Sequence, residues 1–367
     1  MNIKDIDTPA IILDLDTVER NLRRYSDMAK ENRKRLWPMI KTHKSTYLAA
    51  LQKKYGADGF LCGTLDEAEA LCQKGFDNIM YAYPVAGKAS IDRVVRLSKK
   101  CRFFVRIDGI VGAEMLGEAA LRERTVIDYT VIIDCGLHRF GVDPGDSVDL
   151  VKKLSRQNGL RYRGISTHPG HVYVASDGSK LHEYCSSERE TMARAKTLLT
   201  EAGFPPELVT SGSTPTFFGS ISDECINIYH PGNYIFNDAI QMSLGTATEE
   251  DCALRILTCI ISHPSEKLFI CDAGAKCLGL DTGAHGNDSI KGYGIVKGHP
   301  ELTVISLSEE VGKLTFEGET TLKVGDIIEI IPNHSCSSAN LTSWYRGLRG
   351  GKIEQMIETD IRGNSQK

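Results

Sequence analysis

Three short stretches gather residue types that do chemistry. Lys41 closes the apolar run Trp37-Pro38-Met39-Ile40 and opens the basic segment Lys41-Thr42-His43-Lys44. A lysine amine that is partly desolvated near other cations sheds its proton more readily, which suits it to Schiff-base chemistry with a carbonyl compound. Ser211-Gly212-Ser213-Thr214 brings small residues, hydroxyls and backbone N–H groups into one tight loop. Such a loop holds a phosphate without much positive charge, and Gly232-Asn233-Tyr234 can close the same pocket. His334 and Cys336 place an imidazole and a thiol two residues apart. Soft sulfur with nitrogen selects zinc, and two ligands suit a catalytic site whose other positions hold water or substrate. Each stretch also has an ordinary reading: a solvated lysine at a strand edge, a Gly/Ser turn, a chance H-x-C pair.

These residues need a frame, and the hydrophobic pattern supplies one. Apolar runs at 36–41, 59–64, 78–84, 101–108, 129–135, 161–168, 208–211 and, more weakly, 226–230 alternate with amphipathic stretches. The runs are continuous rather than alternating, as expected for parallel strands covered on both faces. Thr64 and Glu67 form a capping box at the head of one helix. Another helix follows Asp16, with Val18, Leu22, Tyr25 and Met28 at three- and four-residue spacing. Eight βα units predict a TIM-type (β/α)8 barrel; the rival is an open doubly wound sheet. No G-x-G-x-x-G follows any run, which weakens the dinucleotide alternative. Barrel chemistry belongs at the C-terminal strand ends, and those of this chain are polar. Besides Lys41 they offer Asp134 with Leu137-His138-Arg139, and Thr167-His168-Pro169-Gly170-His171-Val172-Tyr173.

After residue 245 short strand signals broken by Gly, Pro and Asn replace the helical patterns, predicting an all-β second domain. The expected division is a barrel over 14–243 and a β domain over 244–367, which the N-terminal strand within 1–13 joins. Gly325-Asp326 reads as a turn before an exposed strand, and the polar tail after Arg362 as frayed.

At 367 residues the chain exceeds one ordinary core. Its 41% hydrophobic and 25% charged residues are typical of a globular protein. Lys plus Arg is 44 against 48 for Asp plus Glu, a net −4, which gives no electrostatic case for nucleic acid or a membrane surface as partner. No run approaches the roughly 18 uncharged apolar residues of a membrane helix, and the N-terminus lacks a secretory pattern. The eleven cysteines, an odd number, sit mostly within apolar runs, as small buried hydrophobes do in a reducing cytosol. A cytoplasmic location is expected.

In chain order, Asp7-Thr8-Pro9-Ala10, Pro38-x-x-Lys41-Thr42-His43-Lys44 and Asp134-x-Gly136-x-x-Arg139-x-Gly141-Val142 precede Ser211-Gly212-Ser213-Thr214-Pro215-Thr216. Pro231-Gly232-Asn233-Tyr234, Asp272-Ala273-Gly274-x-Lys276 and Pro332-Asn333-His334-x-Cys336 complete the series. The series resembles the alanine-racemase-like fold type III of pyridoxal-phosphate enzymes, in the branch of D-threonine aldolases and eukaryotic-type D-serine dehydratases. The resemblance implies a homodimer with sites at its interface, Lys41 as the Schiff-base lysine and proton carrier, and a phosphate site at Ser211 to Thr214 with Gly232, Asn233 and Tyr234. It further implies that Arg139, His168 and Tyr173 line the pyridine ring and substrate, and that His334 and Cys336 hold a divalent metal on the substrate's β-hydroxyl. One departure stands out: many relatives read Glu-Glu-His-Gly where this chain has Glu309-Glu310-Val311-Gly312.

The same cofactor supports racemisation, retro-aldol cleavage and β-elimination. A metal at the β-hydroxyl disfavours racemisation. The resemblance carries His-x-Cys and Gly-His-x-Tyr for the dehydratases, against His-x-Asp for the aldolases. The expectation is therefore a lyase of small D-3-hydroxy amino acids, of D-serine dehydratase type or acting on a D-3-hydroxyaspartate, with zinc. The alternatives are a D-threonine aldolase type cleavage, a racemase, or a non-catalytic pyridoxal-phosphate carrier, which usually lacks the β domain.

Overall fold

The computed structural model describes residues 3–175, 178–283 and 290–362; the tail expected to fray lies outside them. The N-terminal part runs β1 (Ala10–Asp14), α1 (Leu15–Glu31), β2 (Arg35–Leu36), α2 (Thr46–Lys54), β3 (Phe60–Cys62), α3 (Leu65–Gln73), β4 (Ile79–Tyr81) and α4 (Lys88–Lys100). It continues with β5 (Phe103–Ile107), α5 (Ile110–Arg122), β6 (Ile127–Ile132), α6 (Ser147–Leu154), β7 (Leu160–Ser166), α7 (Gly178–Glu201), β8 (Leu208–Ser211) and β9 (Ile228–Tyr229). β2 to β9 are all parallel, in the order β2-β9-β8-β7-β6-β5-β4-β3. The Leu36–Ala57 and Met39–Leu61 bridges bring β2 alongside β3 and all but close the ring. The (β/α)8 barrel replaces the open doubly wound sheet.

The barrel's interior is filled, as small barrels require. Trp37, Met39, Leu61, Met80, Phe104 and Ile228 pack together inside it, with Trp37 and Phe104 ring centroids 5.3 Å apart. Outside, α1 buries Val18, Leu22 and Tyr25, the stripe that its spacing predicts. The cap differs: the helix begins at Leu15, because the Asp14 side chain accepts the Thr17 N–H at 3.1 Å, so Asp16 is already in the first turn. Half of the capping box forms. Thr64 accepts from Glu67 N–H at 3.2 Å, but the Glu67 carboxylate turns to Gly63 N–H, at 2.6 Å, and to Lys44.

The remaining strands are β10 (Leu254–Ser265), β11 (Leu268–Cys271), β12 (Ile295–Val296), β13 (Leu302–Leu307), β14 (Gly312–Phe316), β15 (Ile327–Ile331), β16 (Trp344–Arg349) and β17 (Lys352–Glu358). They form a largely antiparallel sheet, ordered β13-β14-β11-β10-β1-β16-β17, with β15 pairing β10 and β12. β1 lies inside it, antiparallel to β10 and parallel to β16. β12, β16 and β17 are the strands of this sheet with the weakest apolar signal in sequence, β12 being two residues long and the other two rich in Arg, Lys and Glu. All eleven cysteines are free thiols. Among the described residues no helix is long and apolar enough to cross a membrane.

Candidate active site

Lys41 does not end a strand. β2 stops at Leu36 because Pro38 has no N–H for the ladder. The chain stays registered through Trp37 N–H to Tyr229 O (2.9 Å) and Met39 N–H to Pro231 O (3.1 Å), then curls into a 3-10 turn over Ile40–Thr42. The Lys41 side chain is exposed to the pocket rather than desolvated. Lys44, expected to share a basic cluster with it, is buried instead and pairs with Glu67 at 2.6 Å. That pair, through Glu67 and Gly63 N–H, ties the lysine turn to the loop after β3. Gly63 leaves room for the stem, since a Cβ there would stand 3.3 Å from Lys41 Cβ. On the other side His43 accepts Ser45 N–H at Nδ1 (3.1 Å) and faces Gln52 Oε1 with Nε2 (3.1 Å), while Tyr345 donates to the His43 carbonyl (2.8 Å). Burial lowers the His43 pKa to about 4, so its ring is neutral.

The loops after β8 and β9 interlock. Gly212 has φ +156°, and a Cβ there would come within 2.5 Å of His230 N. Only glycine allows this approach, which leaves a cradle of bare main chain. Thr214 Oγ1 accepts Tyr234 N–H at 3.1 Å, and a Cβ on Gly232 would meet Thr42 Oγ1 at 3.1 Å. Asn233 donates to Asp238 at 2.5 Å and leaves a buried Oδ1 without a partner. His168 donates from Nδ1 to Gly212 O at 3.0 Å; burial and then the Lys41 charge lower its pKa to about 3, which keeps it neutral.

One cavity at the C-terminal mouth of the barrel is lined by Lys41, Arg139, His168, Tyr173, Gly212, Ser213, Thr214, Gly232, Asn233, His334 and Cys336. Asp134, just past β6, accepts Gly136 N–H (2.9 Å), His138 N–H (3.1 Å) and the His138 ring (2.8 Å), which folds the loop that carries Arg139 to the mouth. Arg139 stacks over Phe140, 5.3 Å from the ring centre. Burial raises the Tyr173 phenol, whose hydroxyl engages Gln241. Two residues expected in the pocket point elsewhere. Ser211 donates to the buried Glu188 behind the loop, and the Tyr234 ring is buried against Tyr25, with its hydroxyl 3.2 Å from Gln52 Nε2. Strand alternation accounts for Ser211: its neighbour on the chain faces the cavity, so it faces the helix layer.

His334 and Cys336 straddle the start of a short helix, Ser335–Asn340, which carries the β domain onto the lysine turn. Cys336 Sγ lies 3.3 Å from Thr42 Oγ1 and 3.9 Å from Asn233 Nδ2, and His334 Nδ1 lies 3.5 Å from Asp281 Oδ1. Burial would raise the Cys336 thiol, but the adjacent His334 and then Lys41 outweigh it and hold it below the usual thiol range. Burial likewise opposes the His334 charge, which Cys336 and Asp281 restore.

A nitrogen and a sulfur donor, with a carboxylate behind the imidazole, fit a soft divalent metal with open positions. Among the described residues no group of three His, Cys, Asp or Glu side chains is placed to hold a metal by itself, so water or substrate would complete the sphere. The glycine cradle, whose bare main chain can turn N–H donors toward an anion, fits a phosphorylated ligand.

Among the lining residues that sequence reasoning missed are Arg106 and His230. Arg106 is 3% exposed inside the barrel, donates to Thr210 Oγ1 (3.4 Å) and Met80 Sδ (3.3 Å), and is pushed down to about 9 by burial. A lone charge inside the run Phe103-Phe104-Val105-Arg106-Ile107 was its signal. His230 donates from Nδ1 to Trp37 O at 2.7 Å and leaves Nε2 buried without a partner.

The chain is similar to known proteins over nearly its whole length. The alanine racemase N-terminal domain matches residues 13–239, and a putative serine dehydratase domain matches residues 253–348. The chain is 30% identical over 373 residues to 3-hydroxy-D-aspartate aldolase of Paracoccus denitrificans (strain Pd 1222), covering 99% of this chain and 94% of that protein. It is 28% identical to D-serine dehydratase of Dictyostelium discoideum, covering 94% of each. Among solved structures, D-threonine aldolase from Filomicrobium marinum superposes with a TM-score of 0.91 at 29% identity, over 98% of this chain and 96% of that one. D-threo-3-hydroxyaspartate dehydratase from Delftia sp. HT23 gives 0.92 at 28% identity over 99% of each, and a variant of that dehydratase is known in a metal-free form.

Proposed function

Because this chain belongs to the alanine racemase N-terminal-domain family, with a serine dehydratase domain behind the barrel, we propose that it is a pyridoxal-phosphate- and metal-dependent lyase of D-3-hydroxy amino acids, of the D-serine dehydratase type. Its relatives act, by name, on D-serine, D-threonine and 3-hydroxy-D-aspartate. The observation that carries the elimination reading is the sulfur of Cys336, 3.3 Å from Thr42 Oγ1 and thus one residue from Lys41. When bound, the cofactor supplies an electron sink for charge developing at Cα, and the metal supplies a Lewis acid for a departing hydroxyl.

The chain's own groups do the rest. Lys41 would hold the cofactor covalently, and its free amine would be the base placed to take the Cα proton. The main chain of Gly212 to Thr214, with Gly232 and Asn233, grips the phosphate; Ser211 and Tyr234 support this loop from behind, through Glu188 and through the Tyr234 N–H to Thr214 Oγ1. Neutral His168 packs beside the ring without adding charge. Arg139 and Tyr173 orient the substrate at the mouth. His334 and Cys336 hold the metal, and a thiolate favours zinc over harder ions. We further propose that the protein works as a homodimer and that the barrel ends near residue 243. Its unpaired thiols support a reducing compartment.

The test is a product assay on D-serine, D-threonine and D-threo-3-hydroxyaspartate. Keto acid plus ammonia supports elimination. Glycine plus an aldehyde identifies a retro-aldol enzyme instead, and the L-isomer alone identifies a racemase.

A further inference from the structure

Behind the phosphate loop lies an acid that the proposed chemistry does not use. Glu188, on α7, is fully buried and has no ion pair among the described residues. Its Oε1 accepts from Ser211 Oγ, the Thr216 hydroxyl engages the same carboxyl, and Oε2 has no hydrogen-bond partner. Thr216 Oγ1 in turn lies 3.1 Å from the hydroxyl of Ser213, which lines the cavity. Three groups thus form a file from the helix layer to the pocket: Glu188, Thr216, Ser213.

Each hydroxyl has one proton to give, so the state of the acid sets the direction of the whole file. If Glu188 is a carboxylate, Thr216 donates to it, Ser213 donates to Thr216, and lone pairs face the cavity. If Glu188 is protonated, it donates to Thr216, Thr216 donates to Ser213, and the Ser213 proton points into the cavity. An anion there favours the second arrangement twice over: it receives a hydrogen bond, and a buried like charge behind it disappears.

We propose that Glu188 is a positioning residue that is protonated when the cofactor's phosphate is bound, acting through Thr216 to turn the Ser213 hydroxyl toward that phosphate. The inference rests on the pyridoxal-phosphate reading. Burial, opposed by the Ser211 and Thr216 hydroxyls, raises Glu188 to about 7, so the proton is available near neutrality. The groups that face it do not confuse the titration. Cys135 and Cys185 are raised to about 12 by burial, and the Tyr229 phenol is raised further. Asp223 and Arg189 complete the charged set acting on it. On the cavity side His168 and His230 are both held neutral by burial.

The sign follows from linkage. Binding that requires a proton weakens as pH rises above the free acid's pKa, by at most about tenfold per unit. The probe is pyridoxine 5′-phosphate, which carries the phosphate but has no aldehyde to bond Lys41. Its affinity for the full-length, cofactor-stripped protein is measured calorimetrically from about pH 7 to about 8.5, where a phosphate monoester already holds its second charge. The wild type is expected to weaken by about tenfold across this range. Glu188→Gln, whose amide can donate to Thr216 while its carbonyl accepts from Ser211, is expected to stay flat within about twofold and to bind more tightly than wild type at the high end. Thr216→Val, which cuts the file, should also be flat and decides the matter should the glutamine variant not fold. A wild-type slope retained in either variant, or a flat wild type, overturns the inference alone. No binding by wild type at any pH overturns the cofactor reading and this inference with it.

Discussion

The ion pair beneath the reactive lysine is the feature most open to a quantitative test. Lys44 and Glu67 are 2.6 Å apart, with side chains 6% and 0% exposed. Removing one partner strands the other charge in the interior, and buried pairs broken in this way cost about 3–5 kcal/mol. Glu67→Gln keeps an acceptor for Gly63 N–H but removes the carboxylate charge 2.6 Å from the Lys44 ammonium, so it should fall within that range, as should Lys44→Met. The double variant removes both charges and should cost less than the sum of the two, by about 2–3 kcal/mol. The molecule contains its own control: Lys88 and Asp92 are 2.8 Å apart but 88% and 40% exposed, and Asp92→Asn should cost under about 0.5 kcal/mol. Urea unfolding followed by circular dichroism measures all four. The pair also fixes the turn that carries Lys41, so the single variants should broaden or weaken the visible absorption of the loaded protein. Single variants that lose less than about 1 kcal/mol, or costs that simply add, would refute the claim that the pair is desolvated and coupled.

Other consequences are more direct. Lys41→Ala should abolish both turnover and the visible absorption band that borohydride removes from the wild type. His334→Ala, or exhaustive chelation, should remove turnover while leaving that band largely intact; full activity after chelation would eliminate the metal from the reaction. His43 has its pKa lowered from an ordinary 6.5 to about 4, so the unfolded chain binds the extra proton between those values. Its contribution is complete above pH 6.5 and is lost on acidification toward 4, at a cost of roughly 3 kcal/mol. Urea midpoints at pH 7.5 and 5 should differ in that direction, and less so in His43→Gln.

Much of this arrangement was legible in the chain itself. Continuous apolar runs marked the parallel strands, because both faces are covered and no alternation is needed. The polar strand ends led to the cavity at the barrel mouth. What failed was direction and distance. Ser211 and Ser213 look alike in sequence, and strand alternation would give them one face, yet the strand ends at Ser211, whose hydroxyl meets Glu188, and the loop beyond it brings Ser213 to the pocket. Lys44 looked like an electrostatic neighbour of Lys41 until the fold supplied Glu67 from a different helix. Glu188 sits in the polar-looking stretch Ser186-Ser187-Glu188-Arg189-Glu190, where nothing distinguishes a buried acid from its solvated neighbours. Strands β16 and β17 were overlooked because half-exposed strands rich in Arg, Lys and Glu carry a weak hydrophobic signal.

The position of β1 bears on how the protein is made. Ala10–Asp14 is synthesised before both of its partners, Leu254–Leu257 on one edge and Arg346–Leu348 on the other. Until Arg346–Leu348 has been translated at least one edge of this apolar segment is open, and helix α1, joined directly to it, hangs from an incompletely anchored end. Nascent chains halted before residue 346 should therefore be protease-sensitive around Ala10–Asp14 even where the barrel strands have already been synthesised.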